Sequence, residues 1–259
     1  MKYCLHSRLS NEYLLKANEI KVQYRDRNSV FDLIDKYPEA MIILEESLVG
    51  EGFNWAELIK YNKMAPGRFM LCLADIGTAE QAKKAEIPFY MGYPVKTFYE
   101  MEGLKNLGVS YIRIDAPIFF SMNKVKGFGV PIRVAVNLAY GDMLPREDGV
   151  CGLWVRPEDA WMYEEYVDVF EFTQCEISKE EALYRIYAEQ KEWPGELQMI
   201  ITNLNYPGLN RMVLPEVTDR RLNCGQRCVQ GAACRLCYRA LDLADRDKVR
   251  AYVEATDQS

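Results

Sequence analysis

Four cysteines near the C-terminus have the types and spacing to do chemistry. The run NCGQRCVQGAACRLC places Cys224, Cys228, Cys234 and Cys237 in the pattern C-x3-C-x5-C-x2-C. Thiolates bind metal as anions, so four of them in one short stretch suit a four-sulfur metal centre. Gly225 and Gly231 let the backbone fold back so that the sulfurs converge, and Arg227, Arg235 and Arg239 offset their charge. The chain contains a single histidine, so any metal in this tail is held by sulfur. Structural zinc sites favour paired C-x2-C hooks, and only Cys234 and Cys237 have that form. A 4Fe-4S cluster also takes four thiolates and tolerates uneven spacing. Zinc and an iron-sulfur cluster are both open on this pattern. Visible absorption of anaerobically purified protein separates them, because zinc is colourless.

The other thiols carry less. Cys4, Cys72 and Cys151 fall within or beside apolar segments, where a cysteine behaves as a small buried apolar group. Cys175 follows the last apolar run and is a substitute metal ligand at most. His6, close to the N-terminus, is expected to be structural or exposed.

A second set of polar residues is distributed along the chain. Short apolar runs rich in β-branched and aromatic residues occur at Glu19–Arg25, Ala40–Glu45, Phe69–Asp75, Phe89–Tyr93, Tyr111–Asp115, Ile132–Leu138, Gly152–Arg156 and Asp168–Phe172. Their ends carry Arg25 or Asp26, Glu45, Asp75, Tyr93, Asp115, Asn137, Arg156 and Glu171. Glu45, Asp75, Asp115, Asn137, Arg156 and Glu171 are therefore the candidate catalytic residues. Carboxylates of this kind serve as general acids or bases, and an arginine holds an anionic group bidentately.

These runs predict strands, and the segments between them predict helices. Ser29, Asn54 and Thr78 each stand where a helix N-cap is needed, Thr97 or the preceding Pro94 opens a further helix, and Gly108 stands where a C-cap needs a left-handed residue. Pro157-Glu158-Asp159 opens another helical segment, and Ser178 to Glu181 forms a capping-box pattern. Strand and helix alternate, with strands apolar on both faces, which predicts a parallel sheet covered by helices. Eight such units give an α/β protein, a (β/α)8 TIM-like barrel over residues 1–195. A C-terminal cysteine-rich metal-binding extension follows over residues 196–259. Lys2–His6 adds a short strand closing one end. The weak joint is the sixth to seventh strand, where GDMLPREDGV leaves no room for a helix. A doubly wound open sheet competes, but no glycine-rich dinucleotide fingerprint follows an early strand.

Composition narrows the functions. In 259 residues, 32 Lys and Arg face 38 Asp and Glu, a formal charge of −6, which argues against wrapping a nucleic-acid backbone. Apolar residues make up 49%, enough for a full core. No signal peptide opens the chain and no apolar run is long enough to span a membrane, so a cytoplasmic protein is expected. Phosphate-loop, nucleophile-elbow and zincin motifs do not occur.

The run Tyr93–Asp115 (YPVKTFYEMEGLKNLGVSYIRID) resembles a strand–helix–strand unit of the collagenase-like peptidase family, whose members include tRNA- and ubiquinone-hydroxylation proteins. The resemblance extends in layout over Glu19–Phe172. It implies a βα barrel followed by cysteines that hold an iron-sulfur cluster, with Cys224, Cys228, Cys234 and Cys237 as the counterparts here. In that family the cysteines are scattered, whereas here they cluster in one tail.

Two functions follow. One is an enzyme acting on a small molecule or an RNA base at the strand C-termini. The other is a non-enzymatic scaffold whose zinc-stapled tail docks a protein partner. Strand-end acids that converge on an open site favour the first, and acids that pair off with Lys and Arg favour the second.

Overall fold

The computed structural model describes residues 1–46, 52–119, 122–139, 152–155, 157–173 and 176–189. Among the described residues there are ten strands: β1 Lys2–His6, β2 Glu19–Gln23, β3 Met41–Glu45, β4 Phe69–Leu73, β5 Phe89–Met91, β6 Ile112–Arg113, β7 Ile132–Ala135, β8 Asn137–Ala139, β9 Gly152–Trp154 and β10 Val169–Glu171. The helices are α1 Asn11–Leu14, α2 Val30–Lys36, α3 Trp55–Met64, α4 Ile76–Lys84, α5 Phe98–Leu107, α6 Ala116–Phe119, α7 Met122–Val125 and α8 Ile177–Glu189. Shorter 3-10 turns cover Tyr24–Ser29 and Pro157–Tyr163.

Eight strands form one sheet in the order β5-β4-β3-β2-β1-β10-β7-β6. Its two edges meet through parallel bridges between Tyr90 and Tyr111 and between Val95 and Ile114. The sheet therefore closes on itself as a βα barrel, and closure removes the unpaired edges of an open sheet.

Eight staves were expected, and eight are found, but one of them differs. Gly152–Trp154 is not a stave: β9 pairs antiparallel with β8, with Asn137 opposite Trp154. An antiparallel pair needs no crossover helix between its strands. The vacant stave position is filled by Lys2–His6. Strand β1 is parallel to β10, with Cys4 opposite Glu171, and parallel to β2, with His6 opposite Lys21.

The described residues fall into two compact units. The first is Met1–Ile114, Gly129–Val134 and Val167–Glu171, which holds the staves. The second contains the described residues of Asp115–Phe128 and Ala135–Tyr166 and those from Phe172 to Glu189. The sequence boundary at residue 195 and the cysteine-rich extension lie outside the described residues.

In the first unit, alternate strand residues point outward and are fully buried. Leu5, Ile20, Val22, Ile42, Leu44, Phe69, Leu71 and Leu73 are essentially without solvent contact. Helices α2 to α5 cover them with Leu33 and Ile34, Leu58 and Tyr61, Ala79 and Ala82, and Met101 and Leu104. Helix α5 begins at a full capping box between Thr97 and Glu100 and ends at Gly108, whose φ of 90° a Cβ would strain. Asn54 caps α3 through the Glu57 amide.

Three expected caps differ. Ser29 makes no cap to α2 and its hydroxyl instead donates to the Asp26 carbonyl, because a 3-10 turn runs straight into the helix. Helix α4 starts before Thr78, and Asp75 is its cap, accepting from the Thr78 amide and hydroxyl. Likewise α8 opens at Ile177, so Ser178 lies inside its first turn.

In the second unit, the hydroxyl of Tyr187 on α8 donates to the carbonyls of Val136 and Val155. Phe119 and Tyr163 stack face to face, with ring centroids 4.9 Å apart.

Candidate functional site

The inner face of the barrel is built by the strand positions that alternate with the buried outward ones. On β2 these are Glu19, Lys21 and Gln23; on β3 Met41, Ile43 and Glu45; on β6 and β7 Arg113 and Arg133; on β10 Val169 and Glu171. Barrel interiors are ordinarily filled by branched aliphatic side chains. Here Cys4, Ile43, Met70, Cys72, Tyr90 and Val169 form an apolar cluster, and six charged side chains stand beside it.

Those six make one network. The Lys21 ammonium lies 3.1 Å from Glu171 Oε2 and 3.4 Å from Glu45 Oε1. Arg113 Nε is 2.6 Å from Glu171 Oε1. Arg133 is paired with Glu19, and its Nε is 3.9 Å from Glu171 Oε2. Three cations face three carboxylates, so the network is neutral. The Arg133 guanidinium also lies 4.3 Å from the Tyr90 ring centroid and 5.0 Å from that of Tyr111. That contact adds cation–π attraction between the closing strands.

Exposure rises from one end of the network to the other. The side chain of Arg133 is 0% exposed and those of Glu19 and Glu171 are 2% exposed. Lys21 reaches 7%, Arg113 16% and Glu45 21%. Gln23, Glu45, Arg113 and Glu171 are the last residues of parallel strands, so the accessible end is the C-terminal mouth of the barrel. That is where enzymes of this architecture place their active sites.

At the mouth, Gln23 donates its amide to Glu45 Oε2, and the Cys72 thiol lies 3.7 Å from Glu45 Oε1. Arg113 also donates through Nη1 to the Gly92 carbonyl at 2.6 Å. Gly92 permits this close packing: a Cβ there would come within 3.0 Å of Cys72 Sγ.

The surroundings fix the charge states. Burial pushes the Glu171 carboxyl up, but Arg113, Lys21 and Arg133 outweigh it and hold it far below the usual carboxylate range. Burial likewise opposes the Lys21 ammonium, yet Glu171 and Glu45 keep its pKa well above the lysine range. Burial raises the Cys72 thiol to about 11 and the Cys4 thiol higher still, so both are neutral. What the arrangement offers is a carboxylate and two cations at an opening, over a floor of locked charges.

Of the expected site residues, the structure brings Glu45 and Glu171 together through Lys21. Glu171 is sealed inside rather than set at the surface. Asp75 does not join them: it is the α4 cap, and the Thr78 hydroxyl and amide lower its pKa. Asp115 and Asn137 belong to the second unit. Asp115 is buried and its carbonyl opens α6, accepting from Ile118 and Phe119. The Asn137 amide bridges the backbone N–H and carbonyl of Thr173. Arg156 and Cys224, Cys228, Cys234 and Cys237 lie outside the described residues, as does Cys175. Among the described residues, no three His, Cys, Asp or Glu side chains form a group that would hold a metal ion. None of the described helices is long and apolar enough to cross a membrane.

The residues that sequence reasoning missed are Glu19, Lys21, Gln23, Arg113 and Arg133. Their signal was present in EIKVQ, YIRID and IRVA, where charged residues alternate with aliphatics in strands that helices must cover on the outside. A stave of that pattern has only one place for its charges, the barrel interior.

No protein-family profile and no curated protein matches the chain. Several solved structures resemble it. 3-Hexulose-6-phosphate synthase from Salmonella typhimurium shares 13% identity over 74% of this chain and 100% of its own, with a TM-score of 0.45. 3-Keto-L-gulonate-6-phosphate decarboxylase from Vibrio cholerae shares 12% identity over 73% and 96%, with a TM-score of 0.44. Orotidine 5'-phosphate decarboxylase from Thermotoga maritima shares 12% over 71% and 98%, with a TM-score of 0.38. The barrel assignment rests on the strand order and the closing bridges of this chain.

Proposed function

We propose that the chain is an enzyme that binds a small polar molecule at the C-terminal mouth of the barrel and moves a proton on it. Glu45 is the proton-handling carboxylate. Arg113 clamps an oxygen of the substrate, and Lys21 supplies a fixed positive charge beside the developing negative one. Glu171 is a positioning residue, since it holds both Lys21 and Arg113.

The observation that carries this reading is the charge inside the barrel. Burying ions costs several kcal/mol each in desolvation, roughly, and well-packed apolar residues often serve stability as well or better. Three ion pairs in place of aliphatics, graded toward an opening, are what a binding site needs and a plain core does not.

The tail fits beside this as a proposal of its own. Cys224, Cys228, Cys234 and Cys237 hold zinc or a 4Fe-4S cluster, in keeping with the collagenase-like peptidase layout and with a small molecule or an RNA base as substrate. Such a group, when bound, supplies either a staple or an electron-transfer centre, and the roles given to Glu45, Arg113 and Lys21 do not depend on it. The scaffold reading draws support from the pairing of Glu171 and the capping role of Asp75. It gives no reason for the partial exposure of Glu45 and Arg113 at the mouth.

A thermal-shift screen of polar metabolites against the full chain tests the enzyme reading. Ligands at a hundred times their Kd stabilise by about 2.7 kcal/mol. Hits on the wild type are expected to be lost in Arg113→Met and to persist, without turnover, in Glu45→Gln. Hits indifferent to Arg113→Met would place the ligand elsewhere and remove the proposal.

A further inference from the structure

The staves of the barrel are not joined evenly. Strands β2 and β3 are in register along their whole length, Glu19–Gln23 against Met41–Glu45, and β3 and β4 from Ile42 opposite Phe69 to Glu45 opposite Cys72. Strands β5 and β6, where the sheet closes, instead meet through two single bridges, Tyr90 to Tyr111 and Val95 to Ile114. Between those bridges Met91, Gly92, Tyr93 and Pro94 stand on one side and Ile112 and Arg113 on the other. The surplus residues make a bulge, which interrupts a ladder and bends the strand. Pro94 has no N–H to give to the ladder in any case. Backbone bonds that cross the seam run from the Val95 N–H to the Arg113 carbonyl at 2.9 Å and from the Ser110 N–H to the Phe89 carbonyl at 2.8 Å. Other N–H groups of the same segments turn away from it. Gly92 donates to the Leu73 carbonyl of β4 and Ile112 to the Pro131 carbonyl before β7.

Side chains make up for the broken ladder. Arg113 reaches from β6 into the bulge, where its Nη1 donates to the Gly92 carbonyl at 2.6 Å, while Glu171 of β10 holds its Nε. The Arg133 guanidinium, from β7, lies over one ring on each lip of the seam, Tyr90 and Tyr111. Those two rings meet edge to face with centroids 6.4 Å apart. Releasing these contacts leaves the neighbouring pairings whole. Strand β5 keeps its register on β4, with Cys72 opposite Tyr90, and β6 keeps its register on β7, with Arg113 opposite Arg133. We propose that the β5–β6 seam is a gate in the barrel wall, with Arg113 as its catch, and that it opens while the rest of the barrel stays folded. Local openings below the global unfolding free energy are drawn from just such weakly paired elements. The bulge follows the last residue of β5, so the gate widens the barrel at its mouth. Opening gives water and small solutes a way to Tyr90, Arg133 and Glu19, which are otherwise buried. The gate does not depend on what the mouth binds.

Native-state hydrogen exchange of the full chain, read amide by amide by NMR, tests the gate. The seam-crossing amides of Val95 and Ser110 are expected to exchange roughly tenfold or more faster than those of Gly92 and Ile112, which point to the neighbouring staves. The amides of β2, β3 and β4 are expected to exchange only by global unfolding, with the full urea dependence that goes with it. Arg113→Lys keeps a positive charge beside Glu171 and gives up the reach to Gly92. It is expected to speed Val95 and Ser110 by a further factor of roughly ten and to leave β2 to β4 in step with the stability measured in urea. Three results would overturn the proposal. In the first, Val95 and Ser110 exchange with the rate and urea dependence of β2 to β4. In the second, Gly92 and Ile112 open together with them, so that the whole segment unfolds and no seam parts. In the third, Arg113→Lys leaves Val95 and Ser110 unchanged relative to β2 to β4. The wild-type comparison decides the first two even where the variant folds poorly.

Discussion

Glu171→Gln is expected to lower the stability of the barrel by about 3–5 kcal/mol at neutral pH, since it leaves buried cations short of their counter-charge. Glu171 faces Lys21 and Arg113 directly, with Arg133 close by, and its side chain is 2% exposed. The loss is read in urea denaturation or as a fall in Tm of roughly 10 °C. Its pH dependence has a definite sign. The folded pKa of Glu171 is depressed, so its contribution is complete above the unfolded glutamate pKa of about 4.3 and fades as the pH falls through and below it. The wild type should lose stability steeply there, and the gap between wild type and Glu171→Gln should narrow. A constant gap down to low pH would mean that Glu171 is not held as an anion.

Arg133→Met is expected to be as costly, again by about 3–5 kcal/mol, and for the complementary reason. It strands Glu19, which is buried, and empties the slot between Tyr90 and Tyr111 where the barrel closes. The partner matters more than the site: Arg133→Met combined with Glu19→Leu should recover most of the loss, giving a coupling energy of about 3 kcal/mol in a double-mutant cycle. Arg133→Lys keeps the charge but loses the flat stacking on the two tyrosines and should fall between. Simple additivity of Arg133→Met and Glu19→Leu would show that the two do not act as a pair.

The barrel was legible in the sequence because β-branched runs alternate with well-capped helices, and a parallel sheet is the arrangement that covers both. Asn54, Thr97 and Gly108 act as read, since caps are local chemistry within a few residues. The stave identity was less legible. Gly152–Trp154 and Lys2–His6 look alike as short apolar runs, and only long-range pairing decides which one joins the barrel. The candidate site was read at strand ends drawn about two residues too far. Chain order does not reveal that Tyr24 begins a 3-10 turn, or that Asp75 leaves β4 to cap α4. The run read to Glu45 ends there, and the run read to Phe172 stops one residue earlier, at Glu171. Lys21, Arg113 and Arg133 were overlooked because buried strands were expected to be apolar on both faces, whereas in a closed barrel the inner face of each stave can carry the functional charges.

The central claim is that these interior charges are kept for a ligand and not for the fold. Replacing Glu19, Lys21, Glu45, Arg113, Arg133 and Glu171 together by leucine and methionine leaves no buried ion without its partner. Scanning calorimetry of that variant, with and without the best metabolite from the screen, is the most direct measurement. The account predicts a Tm at or above that of the wild type and no ligand-induced shift. A charge-free barrel that still gains stability from the ligand, or that melts far below the wild type, would contradict it.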